Sequence, residues 1–327
     1  MRIIFLGTPE FAIPSLKKIL ASNHELIAIV SQPDKQNDRG NKTVFSPVKK
    51  FAIENNIPLY QFAKISRDGV EDLKALNPDI MITASYGQIL SQQVIDIPKY
   101  GIINVHASLL PELRGASPIQ TAIIRGEERT GITIMKTEAG LDTGDIILAK
   151  ATPIGEDETA GELSARLAVI GADLLMEALE QIENGLATYT QQGHVDSDVT
   201  RRITKEQGKI MWAKSAKQIK CQILGQNPSP IAFSYLNGEP VKIYRAREAK
   251  EIKSSTKIVG TVLPESSAKT GLFVSCGQGA IEITELQFPG KKVMHGVDAI
   301  NGRKIKVGDR FEELEATENV KPIEIKG

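Results

Sequence analysis

Arg2–Ile3–Ile4–Phe5–Leu6–Gly7–Thr8–Pro9–Glu10–Phe11–Ala12–Ile13–Pro14–Ser15–Leu16–Lys17–Lys18–Ile19–Leu20–Ala21 opens the chain and changes period once. Ile3 to Leu6 form an unbroken apolar run, the pattern of a strand covered on both faces. From Phe11 onward the apolar residues recur at helical spacing, and Pro14 falls in the first turn, where a missing N–H is tolerated. A buried strand that turns straight into a helix is the opening unit of an α/β sheet. The turn itself, Gly7–Thr8–Pro9–Glu10, lacks the spaced glycines of a dinucleotide fingerprint. Glu10 would also set a negative charge where a pyrophosphate must sit. The expectation is therefore this architecture without NAD.

Working outward, the alternation continues. His24–Ser31, Asp79–Ala84 and Gly101–His106 read as strands, Pro47–Asn55 as a helix, residues 130–154 as two further strands, and Thr159–Asn184 as a long helix. Strands alternating with helices predict a Rossmann-like, doubly wound, mostly parallel sheet. Gly185–Lys209 loosens into polar, turn-rich sequence. Beyond it Ile210–Gly225 reads as one amphipathic helix. Short strand-like runs follow, broken by Asn227–Pro228, Asn237–Gly238, Pro289–Gly290 and Asn301–Gly302, which is the pattern of a small barrel. The expected organisation is a first domain over 1–189, a linker over 190–208 and a second domain over 209–327.

Composition excludes several classes. Hydrophobic residues make up 41% and charged residues 24% of 327, and no apolar run nears the roughly 18 residues of a membrane span. Met1 leads directly into the first strand, so no signal segment and no membrane partner are expected. Cys221 and Cys276 have no companions at ligand spacing, which predicts reduced thiols, no metal and a cytoplasmic protein. The zero net charge hides an asymmetry: residues 1–200 carry 18 Lys+Arg against 26 Asp+Glu, and residues 201–327 carry 22 against 14. A basic second half predicts a polyanionic partner for that half.

The chemistry concentrates in Asn104–Val105–His106–Ala107–Ser108–Leu109–Leu110–Pro111–Glu112–Leu113–Arg114–Gly115. Asn104 and His106 lie two apart on a strand and so share a face, at the strand end where open α/β sheets hold ligands. Asp142 sits between Gly140 and Gly144 on a tight loop. An amide, an imidazole and a carboxylate suit acyl transfer to an amine. Asn104 can donate to a developing oxyanion, a neutral His106 can take the amine proton, and Asp142 can set the imidazole tautomer or relay the proton. Each residue alone also fits a packing or turn role. No serine or cysteine nucleophile stands in a usual setting, which favours direct transfer. His24, His194 and His295 lack such company and read as surface or packing residues.

At this segment the chain resembles the 10-formyltetrahydrofolate-dependent formyltransferases, which include enzymes acting on methionyl-tRNA, glycinamide ribonucleotide and amino-sugar nucleotides. The resemblance rests on Asn104–x–His106, Ser108–Leu109–Leu110–Pro111 and Arg114–Gly115. It implies that Asn104, His106 and Asp142 are the catalytic set and that Ser108, Leu109, Leu110 and Pro111 contact the folate. Tyr86, Gly87, Gln88, Ile89 and Leu90 resemble the segment that walls the pterin. The implied donor is 10-formyltetrahydrofolate, with no metal and no obligate protein partner.

The segments Gln32–Lys35, Asp38–Lys42 and Ser46–Lys49 resemble the loop that one branch sets against a tRNA acceptor stem. That implies contacts from Arg39 and Lys42, joined by Lys205 and Lys209 further on. Trp212, Asn227–Pro228–Ser229–Pro230 and Leu286–Met294 match the same branch, whose second domain is an OB-like barrel. The implied acceptor is thus the α-amino group of initiator methionyl-tRNA, with an amino-sugar nucleotide as the alternative. Met211, Leu224–Gly225–Gln226 and Ile231 depart from that branch's usual residues. Trp212 reads as a core anchor.

Overall fold

The computed structural model describes residues 1–36, 43–193, 199–252 and 258–313. They fall into two units, the first comprising Met1–Ala122, Glu128–Gly155 and Gly161–Arg202. Its strands are β1 (Arg2–Gly7), β2 (Glu25–Ser31), β3 (Lys35–Gln36), β4 (Thr43–Val44), β5 (Leu59–Gln61), β6 (Ile80–Ala84), β7 (Ile102–His106), β8 (Arg129–Lys136) and β9 (Ile146–Pro153). Seven of them form one sheet in the order β5-β2-β1-β6-β7-β8-β9, while β3 and β4 pair with each other. The apolar run Ile3–Leu6 is fully buried at the middle of that sheet.

The chain first moves from β1 to β2 and β5, then returns to add β6 and β7 on the other side. All of these pairings are parallel. A 3-10 turn (Glu10–Ala12) and the helices α1 (Ile13–Leu20), α2 (Pro47–Glu54), α3 (Ile65–Asp68), α4 (Val70–Ala75), α5 (Gln92–Ile95), α6 (Pro118–Arg125) and α7 (Ala160–Glu183) accompany these strands. Pro14 lies in the first turn of α1. Ser46 caps α2 by accepting from the Lys49 amide at 3.1 Å. The sheet turns antiparallel at β8 and β9, and residues 137–145 join these two strands without a helix. The edge strand β5 was not anticipated, since three half-buried residues are too few to show a period.

The polar stretch after α7 differs from a free connector. Thr190 exchanges backbone hydrogen bonds with Ile146 at 2.8 and 2.9 Å, and Thr200 pairs with the Arg114–Ala116 backbone at 2.7 and 2.8 Å. Polar sequence here reflects side chains and amides spent on the sheet-end loops.

The second unit comprises Ile123–Glu127, Glu156–Ala160 and the chain from Ile203 onward. Its helix α8 (Ala216–Gly225) is shorter than the expected Ile210–Gly225. Ser215 starts it with a capping box: the Ser215 hydroxyl accepts from the Gln218 amide, and Gln218 Oε1 accepts from the Ser215 amide. That start signal outweighs the apolar spacing before it, and Ile210 and Trp212 instead enter the core from extended and turn backbone.

The strands β10 (Ala232–Leu236), β11 (Glu239–Glu248), β12 (Phe273–Ser275), β13 (Ala280–Gln287), β14 (Met294–His295) and β15 (Phe311–Glu312) build an antiparallel ladder β12-β13-β11-β10-β15. Residues 260–262 bridge its two ends, pairing Val262 with Val274 and Thr261 with Arg310. The ladder is thereby closed into a small barrel, as expected of an OB-like domain. A last short helix, α9 (Gly296–Asn301), follows β14.

Trp212 is 1% exposed, donates its indole N–H to Ser234 Oγ at 2.9 Å and lies 5.5 Å from the Phe311 ring. It is a core anchor. Ile231 stands at φ +72°, a left-handed conformation strained for a β-branched residue. Gln226, 2% exposed, donates to the Gln207 carbonyl at 2.9 Å. Lys220 is also buried and faces Asp157 at 3.4 Å.

Trp212 is the chain's single tryptophan, so its fluorescence reports unfolding of this unit alone. Loss of a helix cap typically costs about 1 kcal/mol. Ser215→Ala should lower the stability read from the urea transition of Trp212 emission by that amount, and an unchanged midpoint would show that the cap is dispensable.

Candidate active site

The site begins at the C-terminal edge of β7, where neighbouring strands hold both polar side chains. Asn104 pairs with Thr83 on β6 and Met135 on β8, and His106 pairs with Thr133 on β8. Thr83 interrupts an otherwise apolar buried strand, and its hydroxyl donates to Asn104 Oδ1 at 2.8 Å. The Asn104 carbonyl is thus engaged from within the sheet. Its NH2 group makes no hydrogen bond among the described residues and is left as the donor.

His106 is 5% exposed. Its Nε2 lies 3.2 Å from the Leu113 carbonyl, which can only accept, so Nε2 carries the proton and Nδ1 is the basic nitrogen. Nδ1 lies 3.7 Å from Asp142 Oδ2, outside hydrogen-bond reach. The tautomer is therefore set by Leu113, and Asp142 acts on the ring as a nearby charge. Burial pushes the imidazole below its ordinary value of 6.5, and the Asp142 charge opposes that shift. The ring is neutral at pH 7.

Both groups that face His106 come from residues in the left-handed region, Leu113 at φ +55° and Asp142 at φ +51°. Such conformations typically cost about 1–3 kcal/mol and persist where surroundings over-determine them. The surroundings are visible. Asp142 Oδ2 accepts from the Gly115 amide at 2.8 Å. Gly115 is at φ +105°, and a Cβ there would meet the Thr200 carbonyl at 2.3 Å, so no other residue fits. The loop 107–113 is held by Thr133, whose hydroxyl donates to Ser108 O at 2.7 Å and accepts from the Leu110 amide at 3.1 Å. Ser108 in turn donates to the Glu112 carbonyl at 2.7 Å.

The structure brings Asn104, His106, Asp142 and the segment Ser108–Leu109–Leu110–Pro111 together at one edge. The segment 86–90 divides. Tyr86 and Leu90 are buried in the apolar core beside β1 and β6, and burial pushes the Tyr86 hydroxyl up to about 12. Gln88 donates to the Phe62 carbonyl and accepts from the Ile65 amide, both at 2.9 Å. Gly87 and Ile89 are exposed, Ile89 by 85%. Lys205 is exposed in the second unit, where the Lys209 carbonyl accepts from Gln222 at 2.9 Å. Arg39, Lys42 and His194 lie outside the described residues. His24 packs against the N-terminal amine at 3.3 Å, and His295 is exposed.

Thr83, Leu113 and Gln192 were not singled out from the sequence. Thr83 had a signal, a lone polar residue in a strand of five buried positions. Leu113 acts through its carbonyl, which carries no residue-type signal.

Comparisons with known proteins identify the family. Residues 1–179 match the family model described as formyl transferase, and residues 202–304 match that of the formyl transferase C-terminal domain. A methionyl-tRNA formyltransferase of Acetivibrio thermocellus is 44% identical over 94% of this chain and 99% of its own. One from Clostridioides difficile is 43% identical over the same shares. Among solved structures, an N-formyltransferase from Helicobacter canadensis, in complex with folinic acid and dTDP-3-aminofucose, superposes with a TM-score of 0.65 at 22% identity. That likeness covers 86% of this chain and 98% of the other, and it shows a shared fold. With one family model spanning more than half of the sequence and a second following it, the chain belongs to the formyl transferase family.

Proposed function

We propose that this chain transfers the formyl group of 10-formyltetrahydrofolate to the α-amino group of initiator methionyl-tRNA in the cytoplasm, as a step of translation initiation. The observation that carries the acceptor is the near full-length likeness to methionyl-tRNA formyltransferases. The excess of Lys and Arg after residue 200 supports a polyanionic partner. Among the described residues no helix is long and apolar enough to cross a membrane.

The chain's own groups fit a direct transfer. The folate donor supplies the formyl carbon, and Ser108–Pro111 together with Gly87 and Ile89 are the residues we assign to holding it. The Asn104 NH2 group, turned outward by Thr83, donates to the oxygen that gains charge as the amine attacks. His106, neutral by burial, takes the amine proton on Nδ1, directly or through one water. The imidazolium so formed carries its new proton beside Asp142 Oδ2, which stabilises it. The amine bears the new C–N bond, the bond from carbon to the folate nitrogen breaks, and that nitrogen leaves with the proton returned from the imidazolium, which restores neutral His106. Lys205 and Lys209, with Arg39 and Lys42, are assigned to the tRNA.

Removal of the base tests the chemistry: His106→Ala should lower kcat by roughly 10²–10⁴-fold, and retention of turnover within a few-fold would remove His106 from the mechanism. Losing one oxyanion donor typically costs roughly 10²–10³-fold. We expect Asn104→Ala in that range with its thermal midpoint unchanged, whereas parallel losses of stability and activity would mark a packing role. The pH dependence has a definite sign. Because burial lowers the imidazole pKa, the base form is present at neutral pH, and kcat should fall only as pH drops through a value below 6.5. An acid limb above 6.5 would contradict that assignment. The acceptor is tested by formylation assays on methionyl-tRNA and on an amino-sugar nucleotide. Binding of tRNA should weaken steeply with salt, and robust turnover of the sugar nucleotide in place of methionyl-tRNA would overturn the proposal.

A further inference from the structure

Gln192 lies in the polar stretch after α7 and makes four hydrogen bonds with one amide. Its Nε2 group donates to the Asp142 carbonyl at 2.9 Å and to the Gly144 carbonyl at 2.6 Å. Its Oε1 accepts from Arg114 Nε at 3.0 Å and Nη2 at 2.7 Å. Both donors of the amide are used, and its oxygen receives two N–H groups from a cation, the stronger class of such bonds. The amide therefore couples two loops that are distant in sequence, the one after β7 and the one between β8 and β9. Each loop supplies one of the groups that face His106. Asp142 is held from two sides, through its carbonyl by Gln192 and through its carboxylate by the Gly115 amide.

We propose that Gln192 is a positioning residue for formyl transfer, which sets the place of the Asp142 carboxylate beside His106. The inference rests on the roles given above to His106 and Asp142. A side chain at residue 142 in a left-handed backbone has no intrinsic preference for this spot. Without Gln192 the 140–144 loop keeps, among the described residues, the tie from the Gly115 amide, and the carboxylate can withdraw from the ring. The charge that acts on His106 is that of Asp142, and it raises the imidazole pKa. Its withdrawal has two effects together: the imidazolium formed during transfer loses stabilisation, and the free imidazole becomes still harder to protonate. The backbone bonds of Thr190 and Thr200 to the sheet-end backbone do not involve the Gln192 side chain.

The test is a double-mutant cycle on the full chain, with Gln192→Leu, Asp142→Ala and the pair, assayed for methionyl-tRNA formylation across pH. Misplacement of a catalytic group by about 1 Å can cost on the order of 100-fold. Gln192→Leu should lower kcat by about 10- to 100-fold, move the acid limb of kcat to lower pH and leave KM for the folate donor within about twofold. In the Asp142→Ala background the same change should add little, because coupled residues are non-additive. Gln192→Glu keeps an acceptor for Arg114 but sets carboxylate oxygens against two carbonyls, so it should not restore activity. A Gln192→Leu enzyme with wild-type kcat and acid limb, or full additivity with Asp142→Ala, overturns the positioning role. If Asp142→Ala itself leaves kcat unchanged, the underlying assignment of Asp142 fails instead, and the two failures are distinguishable.

Discussion

Burial of the His106 imidazole is the constraint on which the site is organised. A ring held almost wholly out of water loses the solvation of its charged form, so it rests neutral. A buried neutral imidazole still has one N–H to satisfy, and the Leu113 carbonyl meets that need. The basic nitrogen then points to the one place where a proton can be welcomed, beside a carboxylate too far to bond to it at rest. Ground state and charged state thus have different partners around one ring, an arrangement that suits the proton-accepting role proposed for it.

Meeting that arrangement dictates the loops. Two non-glycine residues, Leu113 and Asp142, adopt left-handed backbone, and Gly115 approaches the Thr200 carbonyl more closely than any side chain allows. These unfavourable local choices are held by the Thr133 and Ser108 hydroxyls and the Gln192 amide, all of them short, stiff or fully bonded. The sheet itself contributes the fixed reference. Parallel strands with fully buried apolar runs leave β7 no freedom to shift, so Asn104 and His106 keep their spacing.

How far the sequence revealed this depends on what each feature writes into residue types. Periodic apolar patterns wrote the sheet plainly, and the runs at Arg2–Gly7, His24–Ser31, Asp79–Ala84 and Gly101–His106 are strands within a residue or two. Asn104, His106 and Asp142 were legible because each belongs to a long motif with strand or glycine punctuation, and the structure places them together. Besides β5 and the Leu113 carbonyl, three things were not legible. The start of α8 was placed six residues early, because the apolar spacing from Ile210 imitates a helix, while Ser215–x–x–Gln218 carries the true signal. Gln192 sits in sequence with no period, where a hydrogen-bond hub looks like any polar residue. Closure of the barrel by residues 260–262 rests on single bridges too short for any pattern.

The composition of the second unit has a consequence for anyone who would cut the chain in two. That unit is not the contiguous stretch after Arg202, because it also draws in residues 123–127 and 156–160. Lys220, 7% exposed on α8, faces Asp157 and Glu156 from the second of these segments. A fragment begun at residue 203 would carry the ammonium group into its interior and leave both counter-ions behind. Uncompensated charge in such surroundings is strongly unfavourable, so the excised barrel would be driven to expose the face of α8 that bears Lys220. The gene segment for this half is therefore not a portable module, and its inheritance is tied to two short segments written far upstream.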